Sequence, residues 1–217
     1  MTPKPLLVVV HGLLSTPRDF GDQVSALPAD RLEAMAPWLR GTRPGAKDDA
    51  FDLVNAAADL AMTIELSGAP KTTLFGVDEG ALVALEIALS RPDLDVDLVL
   101  CGPALAASAA AGMQRRLSRF IPRGVFARRG IDKQRALAGL DALVEADLWG
   151  RLPSLTARTL LIVGEKDRAG LTAAQGFADD VPADTRIEVI EGAGRAPHLQ
   201  NAAGVNAVLY DFVALSS

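Results

Sequence analysis

Short apolar runs and helix-spaced stretches take turns along this chain from end to end. That alternation limits the folds open to it more than any other feature. Leu6–Val10 is a continuous apolar run followed by His11-Gly12, which reads as a strand buried on both faces. Thr16-Pro17 opens a helical stretch over residues 16–26, with Pro at an early turn position. Residues 32–36 form a weaker strand stopped by Pro37, and a loop rich in Gly and Pro covers 40–45. Residues 51–66 place Leu53, Val54, Ala57, Leu60, Ala61 and Ile64 at helical spacing, with Gly68 and Pro70 as the stop. Residues 72–75, Val96–Cys101, 159–163 and 187–190 read as further strands. Residues 81–90, 171–181 and 201–215 read as helices, the first apolar on most sides and so buried.

Strands alternating with helices predict a mostly parallel sheet of about six strands, covered by helices on both faces. Ligands of such sheets bind beyond the carboxyl ends of the strands. His11, Asp78, Gly102, Asp167 and Arg195 each follow a predicted strand, so they are expected to gather at one edge. The 217 residues provide one substantial core and not two, so residues 1–217 are read as a single domain. Residues 104–152 break the alternation and read as an inserted helical lid.

The balance of charge narrows the partners. A net charge of −5 makes a poor general binder of nucleic acid, because phosphate attraction needs a surplus of Lys and Arg. Yet eight of the 22 basic residues fall between Arg115 and Arg135, against the single acid Asp132. Those residues read either as a solvated helix face or as an attractor of anions to a pocket mouth. A carboxylated or phosphorylated small molecule, or an acidic carrier protein, fits the second reading. The lone Cys101 allows no intrachain disulfide, which fits a reducing compartment. The apolar start is too short for a signal core, and 18 apolar residues never run together, so no membrane span and a cytoplasmic setting are expected. Without a Cys cluster, a His-Glu-x-x-His or a phosphate-binding loop motif, neither metal nor cofactor is expected. The oligomeric state is not legible.

The chemistry centres on Gly76-Val77-Asp78-Glu79-Gly80. Two glycines frame a strand-to-helix turn that holds the middle residue exposed at the top of the sheet. The following helix points its positive end there. With this frame, the chain resembles the α/β-hydrolase superfamily over nearly its whole length. His11-Gly12-Leu13-Leu14 resembles the family's oxyanion-loop motif. Leu39-Arg40-Gly41-Thr42-Arg43 resembles the loop before the helix leading to the elbow. Residues 161–167 resemble the strand and turn that deliver the catalytic acid, and residues 192–198 the loop that carries the catalytic histidine. The resemblance implies a single α/β-hydrolase fold, trimmed of the usual first strand pair. It carries the nucleophile position onto Asp78, the acid onto Asp167 and the histidine position onto Arg195. It also implies an oxyanion hole made by the backbone N–H groups of Leu13 and Glu79.

Two of those positions depart from a Ser-His-Asp set. An aspartate at the elbow is known in the superfamily's haloalkane dehalogenases and epoxide hydrolases, where it forms an ester that an activated water hydrolyses. Arginine cannot be the base for that water, since its pKa is above about 12. The Trp after the dehalogenase nucleophile is Glu79 here, and the only tyrosine is Tyr210. Electrostatics offers a plainer expectation: Arg195 bridges Asp78 and Asp167 and holds both ionised. Three readings follow. One is an enzyme with altered, non-serine chemistry on a small apolar or anionic molecule. Another is a catalytically inactive binding or scaffold protein. The third is an ordinary hydrolase in which His198, three residues past Arg195, serves as base. His11 reads as a support of the oxyanion loop, His198 either as loop packing or as that base, and Cys101 as inert core.

Overall fold

The computed structural model describes residues 3–214 apart from 27, 29, 46–49, 103–118, 129, 145 and 147. Its strands are β1 (Leu6–Val10), β2 (Glu33–Met35), β3 (Thr72–Val77), β4 (Val96–Cys101), β5 (Thr159–Gly164) and β6 (Thr185–Ile190). They form one sheet in the order β2-β1-β3-β4-β5-β6, and every pairing is parallel. The helices are α1 (Gly21–Ser25), α2 (Leu53–Ser67), α3 (Glu79–Ser90), α4 (Arg123–Arg128), α5 (Lys133–Val144), α6 (Arg168–Asp180), α7 (Pro197–Gln200) and α8 (Ala202–Ala214). The expected parallel sheet and its helical cover are therefore present. The stretch expected as one helix over 16–26 is a 3-10 turn, Pro17–Phe20, running into α1.

Strand periodicity divides the core. Leu6, Val8 and Val10 of β1 face one side with Leu60, Ile64 and Leu85 of α2 and α3. Leu7 and Val9 face the other, with Phe20 and with Leu209 and Phe212 of α8. The alternation follows from side chains pointing to opposite faces at every step. Each fully buried Val, Leu or Phe contributes about 1.5–3 kcal/mol relative to exposure. Helix α2 starts where the Asp52 side chain accepts the Asn55 N–H at 2.8 Å and stops at Gly68, whose φ is 65°. Those are the cap residues that helix ends select.

Register sets the height of the site. Val10 pairs with Gly76, Val77 with Cys101, and Gly164 with Ile190, so these strand ends finish close to level. At the opposite end of the sheet, Asp97 is buried between Lys71 and Arg158, each 3.1 Å away. Arg158 also donates to Phe212 O at 2.7 Å and lies over the Phe212 ring. Of the stretch 104–152, the described part begins at Arg119 and includes α4, α5 and the start of a 3-10 turn, Trp149–Ser154. The Ala-rich segment, Arg115, Arg116 and Arg129 lie outside the described residues.

Candidate active site

Asp78 stands between β3 and α3 with φ 51° and ψ −122°. Among the described residues it is the one non-glycine with positive φ. A backbone held there persists only when its surroundings over-determine it. Two glycines make the turn sterically feasible. A Cβ on Gly80 would stand 2.0 Å from Val10 O, and one on Gly76 would stand 2.5 Å from Ala81 Cα. The Asp78 N–H donates to Cys101 O at 2.8 Å, tying the turn to β4. Its carboxylate lies over Gly102, where a Cβ would come within 2.6 Å of Oδ1.

The protonation of Asp78 corrects the sequence expectation. Burial and the neighbouring Glu79 carboxylate push its pKa up to about 7, against a smaller lowering by Arg195. Desolvation and like charge thus outweigh the guanidinium. The direction of the shift favours the protonated form of Asp78 over the locked anion expected from the sequence.

Glu79 does more than supply a backbone N–H. Its side chain, 5% exposed, turns back so that Oε2 accepts the Leu13 N–H at 2.9 Å. Burial raises the Glu79 pKa, while hydrogen bonds from the backbone N–H groups of Leu13 and of Glu79 itself oppose that rise. The two donors that the resemblance assigns to an oxyanion hole are therefore directed at a carboxylate of the same chain. Gly12 permits this, since a Cβ there would come within 2.6 Å of Oε2.

His11 holds the same loop. The Leu39 N–H donates to His11 Nε2 at 3.3 Å, so the ring proton sits on Nδ1, which donates to Gly12 O at 2.8 Å. Both nitrogens are thus committed, and burial lowers the pKa, so this imidazole positions the loop and stays neutral. The Gly12 N–H donates to Ser15 Oγ at 2.9 Å, closing the turn.

Asp167 and Arg195 come to the same edge by backbone pairing of their loops. Lys166 N–H donates to Ala193 O at 2.8 Å, and Glu165 N–H to Ile190 O at 3.0 Å. Asp167 is buried and caps α6, its Oδ1 accepting the Gly170 N–H at 3.0 Å. Arg195 is exposed, and its charge is felt at Asp78. His198, in α7, is buried and stacked on Phe20. Burial lowers its pKa to about 4. In a Ser-His-Asp relay, imidazole Nδ1–H donates to the acid. Here His198 Nδ1 has no partner among the described residues. Cys101 is fully buried, and its thiol pKa is raised by burial and by Asp78, which keeps it protonated.

A cavity of about 230 Å³ opens beside the oxyanion loop, sharing Leu13 and Ser15 with it. Thr42, Phe51, Arg43 and Arg135 form other parts of its wall. Among the described residues of the basic stretch, Arg135 is the member placed at this cavity. Lys133 instead serves structure, donating to Arg119 O and Ile121 O at 2.7 and 2.6 Å, and Arg119 pairs with Asp141 at 3.7 Å. Among the described residues, no group of three or more His, Cys, Asp or Glu side chains is arranged to hold a metal ion. No helix among them is long and apolar enough to cross a membrane.

Sequence reasoning missed the Glu79 side chain and the Phe20 platform. An acid directly after the elbow residue was the available signal for the first. Nothing local marked the second.

Comparison with known proteins places this geometry. The family described as "Alpha/beta hydrolase family" matches residues 7–208. The chain superposes on an esterase (EaEST) from Exiguobacterium antarcticum with a TM-score of 0.81 at 19% identity, covering 99% of this chain and 93% of the other. MenH from S. aureus gives 0.81 at 18% identity, covering 99% and 95%. NosK from Streptomyces actuosus gives 0.75 at 26% identity, covering 96% and 97%. No curated protein matches the chain in sequence.

Proposed function

The chain belongs to the alpha/beta hydrolase family, and from that premise we propose that it is an enzyme of non-serine chemistry in which Asp78 is a general acid–base. The observation that carries this reading is a strained elbow presenting a carboxyl whose pKa is raised to about 7. A proton donor and acceptor works best when its pKa lies near the working pH. Paired buried acids are a recurring way to reach that value. A raised pKa weakens Asp78 as a nucleophile and equips it to hand a proton over and take it back.

The substrate is a small molecule, apolar or anionic. Support for the anionic class comes from Arg43 and Arg135 on the cavity wall, which outnumber the single acid Asp132 there, and from the exposed Arg195. Guanidinium groups match carboxylate and phosphate oxygens in pairs. An acidic carrier protein bearing the substrate suits the same basic stretch. Asp167 serves this site by fixing the start of α6 beside the Arg195 loop. Arg195, permanently charged, attracts and orients the ligand and does not move a proton.

A second reading, a catalytically inactive binding protein on the same scaffold, is favoured by one contact. Glu79 Oε2 on the Leu13 N–H leaves that donor without capacity for a reacting oxygen.

The pH profile of kcat/KM separates the two. Turnover of small anionic and neutral substrates should show an inflection near pH 7 that Asp78→Asn removes, with activity falling about 10²–10⁴-fold. Full turnover by Asp78→Asn would defeat the acid–base role. Absence of turnover with any substrate, alongside saturable binding of an anion at the cavity, would establish the second reading.

A further inference from the structure

In the alpha/beta hydrolase family, two backbone N–H groups beside the elbow carry a negative oxygen that exists only during reaction. Here the same pair is already occupied by the carboxyl group of Glu79. Glu79 Oε2 is 2.9 Å from Leu13 N, and the Glu79 N–H adds its own stabilisation to the carboxylate. The side chain is almost wholly removed from solvent. Gly12 sits directly beneath it, where no other residue type fits without displacing Oε2. Oxyanion loop, elbow and side chain are thus shaped around one another.

We infer that Glu79 determines which reactions the site accepts, its own carboxyl oxygen occupying the donors and excluding substrates whose reaction builds an oxyanion at this place. Esters, thioesters and lactones undergoing acyl transfer need these two donors as the carbonyl oxygen becomes negative. With Glu79 seated, a reacting oxygen would find the Leu13 N–H already taken. Proton transfers at carbon or oxygen outside the nest need neither donor, and they remain open. The inference deepens the acid–base reading of Asp78 by naming the excluded class. It requires only the Glu79 contact, so it stands or fails separately from the role of Asp78.

Tethering strengthens the exclusion. A carboxylate attached to the residue next to the elbow has a high effective concentration at its own nest. A free carboxylate therefore competes poorly until the side chain is shortened. Once Glu79 is cut back to alanine, the vacated donors accept a small carboxylate from solution.

The test uses acetate as probe and the backbone amides of Leu13 and of residue 79 as reporters. The full chain, labelled with ¹⁵N, is titrated with acetate as wild type and as Glu79→Ala. The expected result is a saturable shift at the Leu13 amide in Glu79→Ala, with an apparent affinity at least about tenfold above wild type. Equal responses in the two proteins, or none in a folded Glu79→Ala, would overturn the inference. If Glu79→Ala does not fold, Glu79→Gln tests the same contact without a ligand. Replacing the carboxyl acceptor by an amide should shift the Leu13 amide proton. An unmoved Leu13 signal would show that the carboxylate is not its partner.

Discussion

His198 lies nearly flat against Phe20, with ring centroids 5.4 Å apart and planes 18° from parallel. Its carbonyl accepts the Gln23 Nε2–H at 3.1 Å, while the buried Nδ1 has no partner among the described residues. An imidazole so placed is kept neutral, and its pKa falls from 6.5 to about 4. In the window between those values the unfolded chain takes up a proton that the folded chain refuses. Stability is therefore intact above about pH 6.5 and is lost as pH falls toward 4, by on the order of 3 kcal/mol. His198→Phe, which keeps a stacking ring, should flatten this acid-side loss in chemical denaturation measured across that range. An unchanged slope would show that His198 does not titrate there.

Asp78 has the opposite sign. Its pKa rises from 3.8 to about 7, so the folded state holds a proton that the unfolded state has released. The stabilising influence of that proton is full below about pH 4 and vanishes as pH rises through 7. Asp78→Asn should therefore stabilise the fold relative to wild type most clearly above pH 7. Thermal midpoints compared at pH 5 and pH 8 check this. A gain equal at both values would assign the effect to something other than ionisation.

Gly80 is set by contact with the backbone of β1. A methyl group there would stand 2.0 Å from Val10 O and 2.7 Å from His11 O, neither of which can yield without breaking strand pairing. Gly80→Ala should cost about 3 kcal/mol or more and disturb the elbow first. The readout is the loss of a native-like Asp78 amide signal together with a lower unfolding midpoint. Gly176→Ala, in open space on α6, is the matched control and should be neutral or mildly stabilising.

Asp97 anchors the far end of the sheet. Its side chain is 4% exposed and faces both Lys71 and Arg158. Asp97→Ala should destabilise by about 1.5–3 kcal/mol, because it removes the charged acceptor of Arg158 and Lys71, while Lys71 keeps Asp95 and Arg158 keeps Phe212 O. Catalytic or binding behaviour should survive at temperatures where the variant is folded. A cost below about 1 kcal/mol would mean that the pair is no stronger than a surface ion pair.

Rebuilding an acyl-transfer site should need three changes. Asp78→Ser with Arg195→His supplies a hydroxyl and an imidazole but leaves Glu79 on the Leu13 N–H. Adding Glu79→Ala should raise hydrolysis of a small activated ester by about 10²–10³-fold over the double variant, the usual worth of an oxyanion donor. A double variant already as active as the triple would show that Glu79 is no obstacle.

Much of the fold was legible because apolar runs and glycines report local geometry. Leu6–Val10 and Val96–Cys101 stand where their apolar runs begin and end. β6 starts two residues before the run 187–190, since Thr185 and Arg186 join an edge strand through pairing with Thr159 and Leu160. α6 begins at Arg168, not at 171, because a cap at Asp167 fixes the start whereas periodicity first shows at Leu171. The 201–215 helix is preceded by a separate turn of helix, α7, and its last residue lies outside the described residues. The elbow frame was visible in its two glycines. The ionisation of Asp78 was not, because it depends on how deeply two neighbouring acids are buried. The reach of Glu79 to an amide 66 positions away is likewise a property of the assembled loops and leaves no trace in local spacing.

The main-chain devices of the elbow act without regard to the atoms beyond the Cβ of residue 78. Gly76, Gly80 and the amide tie to Cys101 hold a socket whose shape is indifferent to its reactive fitting. Chemistry at this corner can thus be exchanged by altering a few side chains while the strands stay still. The same indifference lets a chain keep the whole outline of a hydrolase after its reaction has changed, so outline alone is a poor guide to what such a molecule transforms.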